Sequence, residues 1–160
     1  MQEPEMIAVL KPFARLTVDE LHDIYRLRAA VFVVEQQCAY QDIDGLDKAA
    51  WHLYFRDGQG LAAYARLLPP GVMFPQAAIG RVITARRGCG LGRRLMLTAI
   101  DETRRLFGAD EIQLMAQSYA QGFYEKCGFR RISEPYLEDG IPHVNMRWTA
   151  PGLPAEGDAP

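Results

Sequence analysis

The sequence predicts an α+β fold built on a mixed sheet, and three observations carry that expectation. Runs of strand character and of helical character follow one another in the order βα, then three strands, then αβαββ. Two consecutive strands are joined by a tight Asp57-Gly58-Gln59-Gly60 turn, which makes them antiparallel. A long helical pattern separates two later strands, a connection long enough to return the chain in parallel. A sheet with both kinds of pair is mixed by construction.

Ile7-Ala8-Val9-Leu10 reads as a first strand, ended by Lys11-Pro12. Thr17 stands three residues before Glu20, a capping box that predicts a helix start, and Leu21, Ile24, Tyr25, Leu27, Arg28 and Val31 carry the helical spacing toward Val34. Ala39 to Lys48 is polar and rich in Asp and Gly, hence loop-like. Trp51, Leu53 and Phe55 alternate with His52, Tyr54 and Arg56, and the turn leads into Leu61 to Leu68 as the second arm of a hairpin. Pro69-Pro70-Gly71 closes it, and Ala77 to Thr84 is the next strand. From Leu91 to Phe107 an apolar stripe of Leu91, Leu95, Ala99 and Ile100 predicts a helix that Gly108 stops. Glu111 to Gln117 reads as a strand and Tyr119 to Lys126 as a short helix stopped by Gly128. Phe129 to Ile132 and His143 to Trp148 are strands separated by a Glu138-Asp139-Gly140 turn.

The 160 residues suit one domain, expected over 1–149, with a tail at 150–160 that has too little to bury and is expected to be disordered. A net charge of −2 argues against a general nucleic-acid binder. Basic pairs at Arg86/Arg87, Arg93/Arg94 and Arg104/Arg105 suit one compact anion instead. No apolar run reaches bilayer-spanning length and the first residues lack a basic signal region, so a cytoplasmic protein with no membrane partner is expected. Three cysteines, Cys38, Cys89 and Cys127, without metal-ligand spacing point to reduced thiols and no metal. A surface-exposed Trp148 or Tyr136 would mark the interface of a homodimer.

The stretch most suited to chemistry is Arg87-Gly88-Cys89-Gly90-Leu91-Gly92, between a β-branched strand and a long helix. Glycines let a backbone approach a ligand, and the first N–H groups of the helix favour phosphate oxygens, so the segment reads as a pyrophosphate cradle. A Walker loop would end in Gly-Lys-Ser/Thr, but Arg93 and Arg94 follow Gly92. A dinucleotide fingerprint needs G-x-G-x-x-G on a first strand-to-helix turn, with an acid at the far end of the next strand. Here the spacing is G-x-G-x-G beyond mid-chain, and Glu111 opens its strand.

Arg87, Gly90 and Gly92 fit the Arg/Gln-x-x-Gly-x-Gly/Ala loop of the GCN5-related N-acetyltransferase (GNAT) superfamily, and a second motif joins it. Gln117 to Phe129 resembles the family's later segment, a polar residue, Ala three on, then aromatic-Tyr-x-x-x-Gly-Phe. Val31 to Gln37, Ile79 to Val82 and Glu138 to His143 look like the ElaA-type branch. The resemblance runs from about residue 7 to 148. It implies a six- to seven-stranded sheet splayed between its fourth and fifth strands and flanked by about four helices. One of those would be a short helix between about Val34 and Lys48.

The resemblance also implies a chemistry: acetyl-CoA as donor and an amine as acceptor. Arg87, Gly88, Cys89, Gly90, Leu91, Gly92 and Arg93 would hold the pyrophosphate. The backbone of Val82, Ile83 and Thr84 would pair with the pantetheine arm, and an N–H in that stretch would serve the oxyanion. Gln117 stands where many members carry Asn, in contact with the cofactor or leaving group. Tyr124 matches the tyrosine that protonates the departing thiolate, a task suited to a phenol that stays protonated at neutral pH. A protonated amine also needs a base, for which Glu35, His52 and His143 are the candidates. The other readings are a non-catalytic CoA-binding regulator and a dinucleotide-binding protein.

Overall fold

A computed structural model describes residues 5–86 and 89–153. Its eight strands form one sheet in the order β1-β2-β3-β4-β5-β8-β6, with β7 also paired to β8. They are β1 (Ile7–Pro12), β2 (Trp51–Asp57), β3 (Gly60–Leu68), β4 (Ala77–Thr84), β5 (Glu111–Gln117), β6 (Arg130–Arg131), β7 (Tyr136–Glu138) and β8 (Ile141–Thr149). The helices are α1 (Val18–Arg28), α2 (Leu91–Phe107) and α3 (Gln121–Lys126). Two of the strands are only two and three residues long, which is why the pattern reading finds one fewer than the ladder contains.

Thr17 caps α1 as its sequence position requires: its hydroxyl accepts from the Glu20 N–H, and the Glu20 carboxylate accepts from the Thr17 N–H in return. The helical spacing past Arg28 does not continue as α-helix. Ala29–Glu35 widens into a π-helical turn, and the helix expected before Lys48 is a 3-10 turn at Leu46–Ala49. The helix near Tyr119 likewise begins as a 3-10 turn, Ser118–Ala120.

The sheet packs on both faces. On one, Leu91, Leu95, Met96, Ala99 and Ile100 of α2 meet Leu53, Phe55, Ile79, Ile112 and Leu114, and Ala63 and Ala65 on β3 leave room for the helix. On the other, Ile24 of α1 packs with Tyr54, Tyr64 and Ile83, joined by Tyr25, Val31 and Phe32. Side chains alternate across each strand, so β2 and β3 feed both clusters.

Two irregularities shape the site. β4 and β5 run parallel but pair only at Ala77↔Ile112 and Ala78↔Gln113, so beyond those two positions the sheet opens. β4 also bulges against β3: Arg66 faces Gly80 and Tyr64 faces Ile83, which sets both Arg81 and Val82 opposite the single Ala65. Arg81 takes φ +52°, the left-handed region that a side chain rarely enters.

Packing corrects the expectation that Trp148 or Tyr136 stands exposed. Trp148 is half-buried against the main core, with Arg104 stacked over its ring at 5.2 Å and the Gly128 backbone closing on its edge. Tyr136 turns inward, its hydroxyl 2.6 Å from Asn145 Oδ1.

Candidate active site

The opening between β4 and β5 is a cavity of about 720 Å³. Its walls come from Ile79 to Thr84 on one strand and Leu114, Met115 and Gln117 on the other. The ends of α2 and α3 supply Gly92, Phe123 and Tyr124. Because β4 and β5 have parted, the facing backbone edge of β4 is not consumed by a neighbouring strand and can pair with an extended ligand.

Gly90 starts α2 in the left-handed conformation, φ +73°, and no side chain caps the helix. The first-turn N–H groups therefore have no internal acceptor from a cap, and no acidic residue stands in that turn to compete for them. Gly92 has a steric reason to lack a side chain. A Cβ on it would lie 3.3 Å from the Phe123 ring, which would have to give by a few tenths of an ångström, and in ordinary contact with Thr84 Cγ2 at 3.7 Å. Arg93 is exposed beside it, Leu91 is buried in the core, and Cys89 is exposed with Sγ 3.9 Å from the Arg86 carbonyl. Arg86 is committed to a two-pronged pair with Asp57. Arg87 and Gly88, the first two residues of the expected cradle, lie outside the described residues.

Tyr124 lines the cavity and meets Phe123 and Phe129 edge to face. Burial among these rings pushes the phenol well above its ordinary value, with the neighbouring Tyr119 and Cys127 adding to the effect. It is a proton donor and not a phenolate. Gln117 lines the opposite wall, where its amide donates to Gln36 Oε1 at 3.1 Å and ties β5 to the end of the π-helical turn.

The three candidate bases part company. His143 lines the cavity; its Nδ1 is 2.7 Å from the Ile141 carbonyl, which can only accept, so Nδ1 carries a proton and the neutral ring has its lone pair on Nε2. Tyr136 stacks on the same ring at 6.1 Å. Glu35 is exposed at the end of the π-helical turn and is not among the cavity-lining residues. The expectation for His52 is corrected: it is fully buried, lines no part of the cavity, and spends both ring nitrogens on Tyr64 and the Asp47 carbonyl. Strand alternation places it off the Trp51/Leu53 face correctly, but that second face is covered too.

Sequence reasoning misses the largest electrostatic feature beside the cavity. Arg28 of α1, Arg66 of β3 and Arg81 of β4 interlock with Asp42, Asp44 and Asp47 of the irregular segment. Arg28 and Arg66 are 0% and 1% exposed, so these charges persist only because they are matched. The clue in the sequence is three aspartates within six residues of a segment that reads as solvated loop. Among the described residues, no group of three or more His, Cys, Asp or Glu could hold a metal ion, and no helix is long and apolar enough to cross a membrane.

A mixed sheet splayed after its fourth strand, with an uncapped helix start at the opening, is the architecture of the acyl-CoA N-acyltransferases, and comparison with known proteins agrees. The model of the acetyltransferase (GNAT) domain matches residues 20–150. A UPF0039 protein of Schizosaccharomyces pombe is 47% identical, over 87% of this chain and 94% of its own. Protein ElaA of Escherichia coli is 40% identical, over 83% and 90%. Among solved structures, an acyl-CoA N-acyltransferase from Pseudomonas aeruginosa superposes with a TM-score of 0.84 at 41% identity, covering 89% of this chain and 99% of that one. Escherichia coli ElaA gives 0.84 at 36%, covering 90% and 99%. The chain belongs to the GNAT acetyltransferase family, in its ElaA-like branch.

Proposed function

We propose that the chain is an N-acetyltransferase that moves an acetyl group from acetyl-CoA to a primary amine of a small molecule or peptide, with residues 1–149 as its catalytic domain. The observation that carries this reading is the cleft itself. It joins an unpaired β4 edge, an uncapped helix start, a protonated Tyr124 and a His143 with its lone pair on Nε2 in one cavity.

In this reading the segment from Arg87 to Arg93 receives the pyrophosphate, and Val82, Ile83 and Thr84 align the pantetheine arm. His143 Nε2 takes a proton from the ammonium form of the acceptor, directly or through water. The neutral amine attacks the thioester carbonyl carbon, and a C–N bond forms while the carbonyl oxygen gains charge beside the backbone of the bulged strand. The carbonyl re-forms as the C–S bond breaks and the electron pair leaves on sulfur. Tyr124 supplies the proton that makes the free thiol of CoA, and the proton shed by the newly bonded nitrogen passes through water to restore the phenol. Glu138 and Asp139 line the same cavity, and their carboxylates suit a cationic acceptor.

Purified protein tests this with a thiol reagent: CoA should appear from acetyl-CoA only when an amine is added. Tight CoA binding with no thiol release across a broad amine panel would favour the regulator. Heat with NAD and none with acetyl-CoA would favour the dinucleotide binder.

A further inference from the structure

The bulge in β4 has an unusual occupant. The residue that enters the left-handed region at such a bulge is ordinarily glycine, yet here Gly80 stands one position too early and Arg81 takes φ +52°. An arginine left to itself would relax to negative φ, and the two residues facing Ala65 would then be turned out of the geometry found here.

Its side chain is held on three sides. Nε lies 2.8 Å from Asp42 Oδ1, and Nη2 lies 3.1 Å from both the Asp42 carbonyl oxygen and Asp44 Oδ2. The guanidinium also stacks over Tyr40 at 5.6 Å, and the Tyr40 hydroxyl donates to Asp42. The acids are fixed in turn from behind. Arg28 binds Asp42 at 3.0 Å and Asp47 at 2.7 Å, while Arg66 grips both oxygens of Asp44 at 2.8 and 3.0 Å. The segment from Asp42 to Gly45 has no strand pairing of its own, so its place against β4 is set by these charges.

We propose that Arg81 is a positioning residue for acyl transfer: its guanidinium, locked by Asp42 and Asp44, keeps the β4 bulge in place. The Arg81–Val82 peptide groups thereby stay out of the β3 ladder and remain available to the thioester carbonyl. This rests on the acetyl-CoA reading above. The ionic network that looks like scaffolding is then part of the carbonyl-binding apparatus.

Three variants separate positioning from simple structure: Arg81→Ala, Arg81→Gly and Arg81→Lys. Ala loses the anchor and disfavours positive φ, whereas Gly loses the anchor but enters that region freely. Arg81→Ala should lower kcat by about 10²-fold, the scale of a lost oxyanion donor, with KM for acetyl-CoA changed less than about threefold. Arg81→Gly should recover at least about fivefold of that loss although its Tm falls as far, and Arg81→Lys should fall between Ala and wild type. Crystal structures of the Ala and Gly variants read φ at position 81 directly, and calorimetry compares acetyl-CoA with CoA without needing an acceptor. The wild type and the Gly variant should prefer the acetyl form, and the Ala variant should not. Wild-type kcat in Arg81→Ala, no recovery in Arg81→Gly, a loss confined to KM, or an unchanged φ at position 81 of the Arg81→Ala variant would overturn the positioning role while leaving the acyltransferase reading intact. No heat from the wild type with either ligand would overturn the acyltransferase reading, and the positioning role with it.

Discussion

The hydroxyl of Tyr64 donates to Nδ1 of His52 across 2.7 Å, because Nε2 of that ring must carry the proton it gives to the Asp47 carbonyl at 2.9 Å. His52 is thus a neutral, doubly bonded strut between β2, β3 and the acidic segment. Burial lowers its pKa from 6.5, overcoming the pull of the Asp47 carbonyl and charge, and nearby Arg28 and Arg66 push the same way. The contribution to stability is fully present above the unfolded value of about 6.5 and is lost as pH falls from there toward the lowered native value. Melting temperature should therefore hold between about pH 8 and 7 and decline below about 6.5. His52→Gln, which keeps an amide donor for Asp47, should flatten that decline. An equally steep decline in the variant would assign it to other groups. Tyr64→Phe should cost about 1–3 kcal/mol, the range for a buried acceptor left without its donor.

Glu20 contributes to the acid limb. Burial alone would raise its pKa, but Lys11 at 2.8 Å, the Tyr54 hydroxyl and the Thr17 N–H lower it from 4.5 to about 2. A depressed carboxylate contributes stability above its unfolded pKa and loses it as pH drops through the native one, so the window here is about pH 4.5 down to 2. Circular dichroism melts across that window should slope in the wild type and slope less in Glu20→Gln. Parallel curves would mean that the capping box and the Lys11 pair contribute nothing to acid stability.

The elements that position the site were largely legible because each is stabilised by a local pattern. The apolar stripe and Gly108 stop define α2 at Leu91–Phe107, and β-branched or alternating runs define β4 and β5 at the bounds found. Even the splay has a sequence correlate, through the family motifs on either side of it. What escaped depends on groups brought together only by the folded chain. Arg28 meets Asp42 and Asp47 across 14 and 19 residues, and Arg81 meets Asp42 across 39. No periodicity records such pairings, so the acidic segment reads as solvated and His52 as available. β7 escaped for another reason: three residues pairing with the start of β8 are too few to alternate visibly.

Gly92 sets two physical effects against each other. Alanine is the better helix former by about 1 kcal/mol, but its Cβ would stand 3.3 Å from Phe123 Cζ, so the ring must shift by a few tenths of an ångström. Thermal stability of Gly92→Ala should stay within about 1 kcal/mol of the wild type, since the two effects oppose. Affinity for CoA should nevertheless fall at least about tenfold, because the added methyl stands between α2 and the cavity wall at Thr84. Calorimetry on Gly92→Ala and on Gly92→Ala/Phe123→Leu distinguishes the causes. If the double variant regains stability without regaining affinity, the glycine serves the ligand directly. If neither variant loses affinity, the start of α2 is not where CoA binds.

In the proposed reaction Tyr124 and His143 divide the proton work, so their losses should differ in kind. Tyr124→Phe keeps the ring contacts with Phe123 and Phe129 and removes only the hydroxyl, so CoA affinity should stay within about twofold while kcat falls about 10²-fold. The departing thiolate then has to find its proton in water, and acyl donors with more acidic thiols should suffer least. His143→Gln keeps a side chain able to bond the Ile141 carbonyl but removes the basic nitrogen, so its defect should shrink as pH rises and free amine becomes abundant. A pH–rate series for both variants checks the division. A Tyr124→Phe defect that vanished at high pH, paired with a pH-independent His143→Gln defect, would require the two roles to be exchanged.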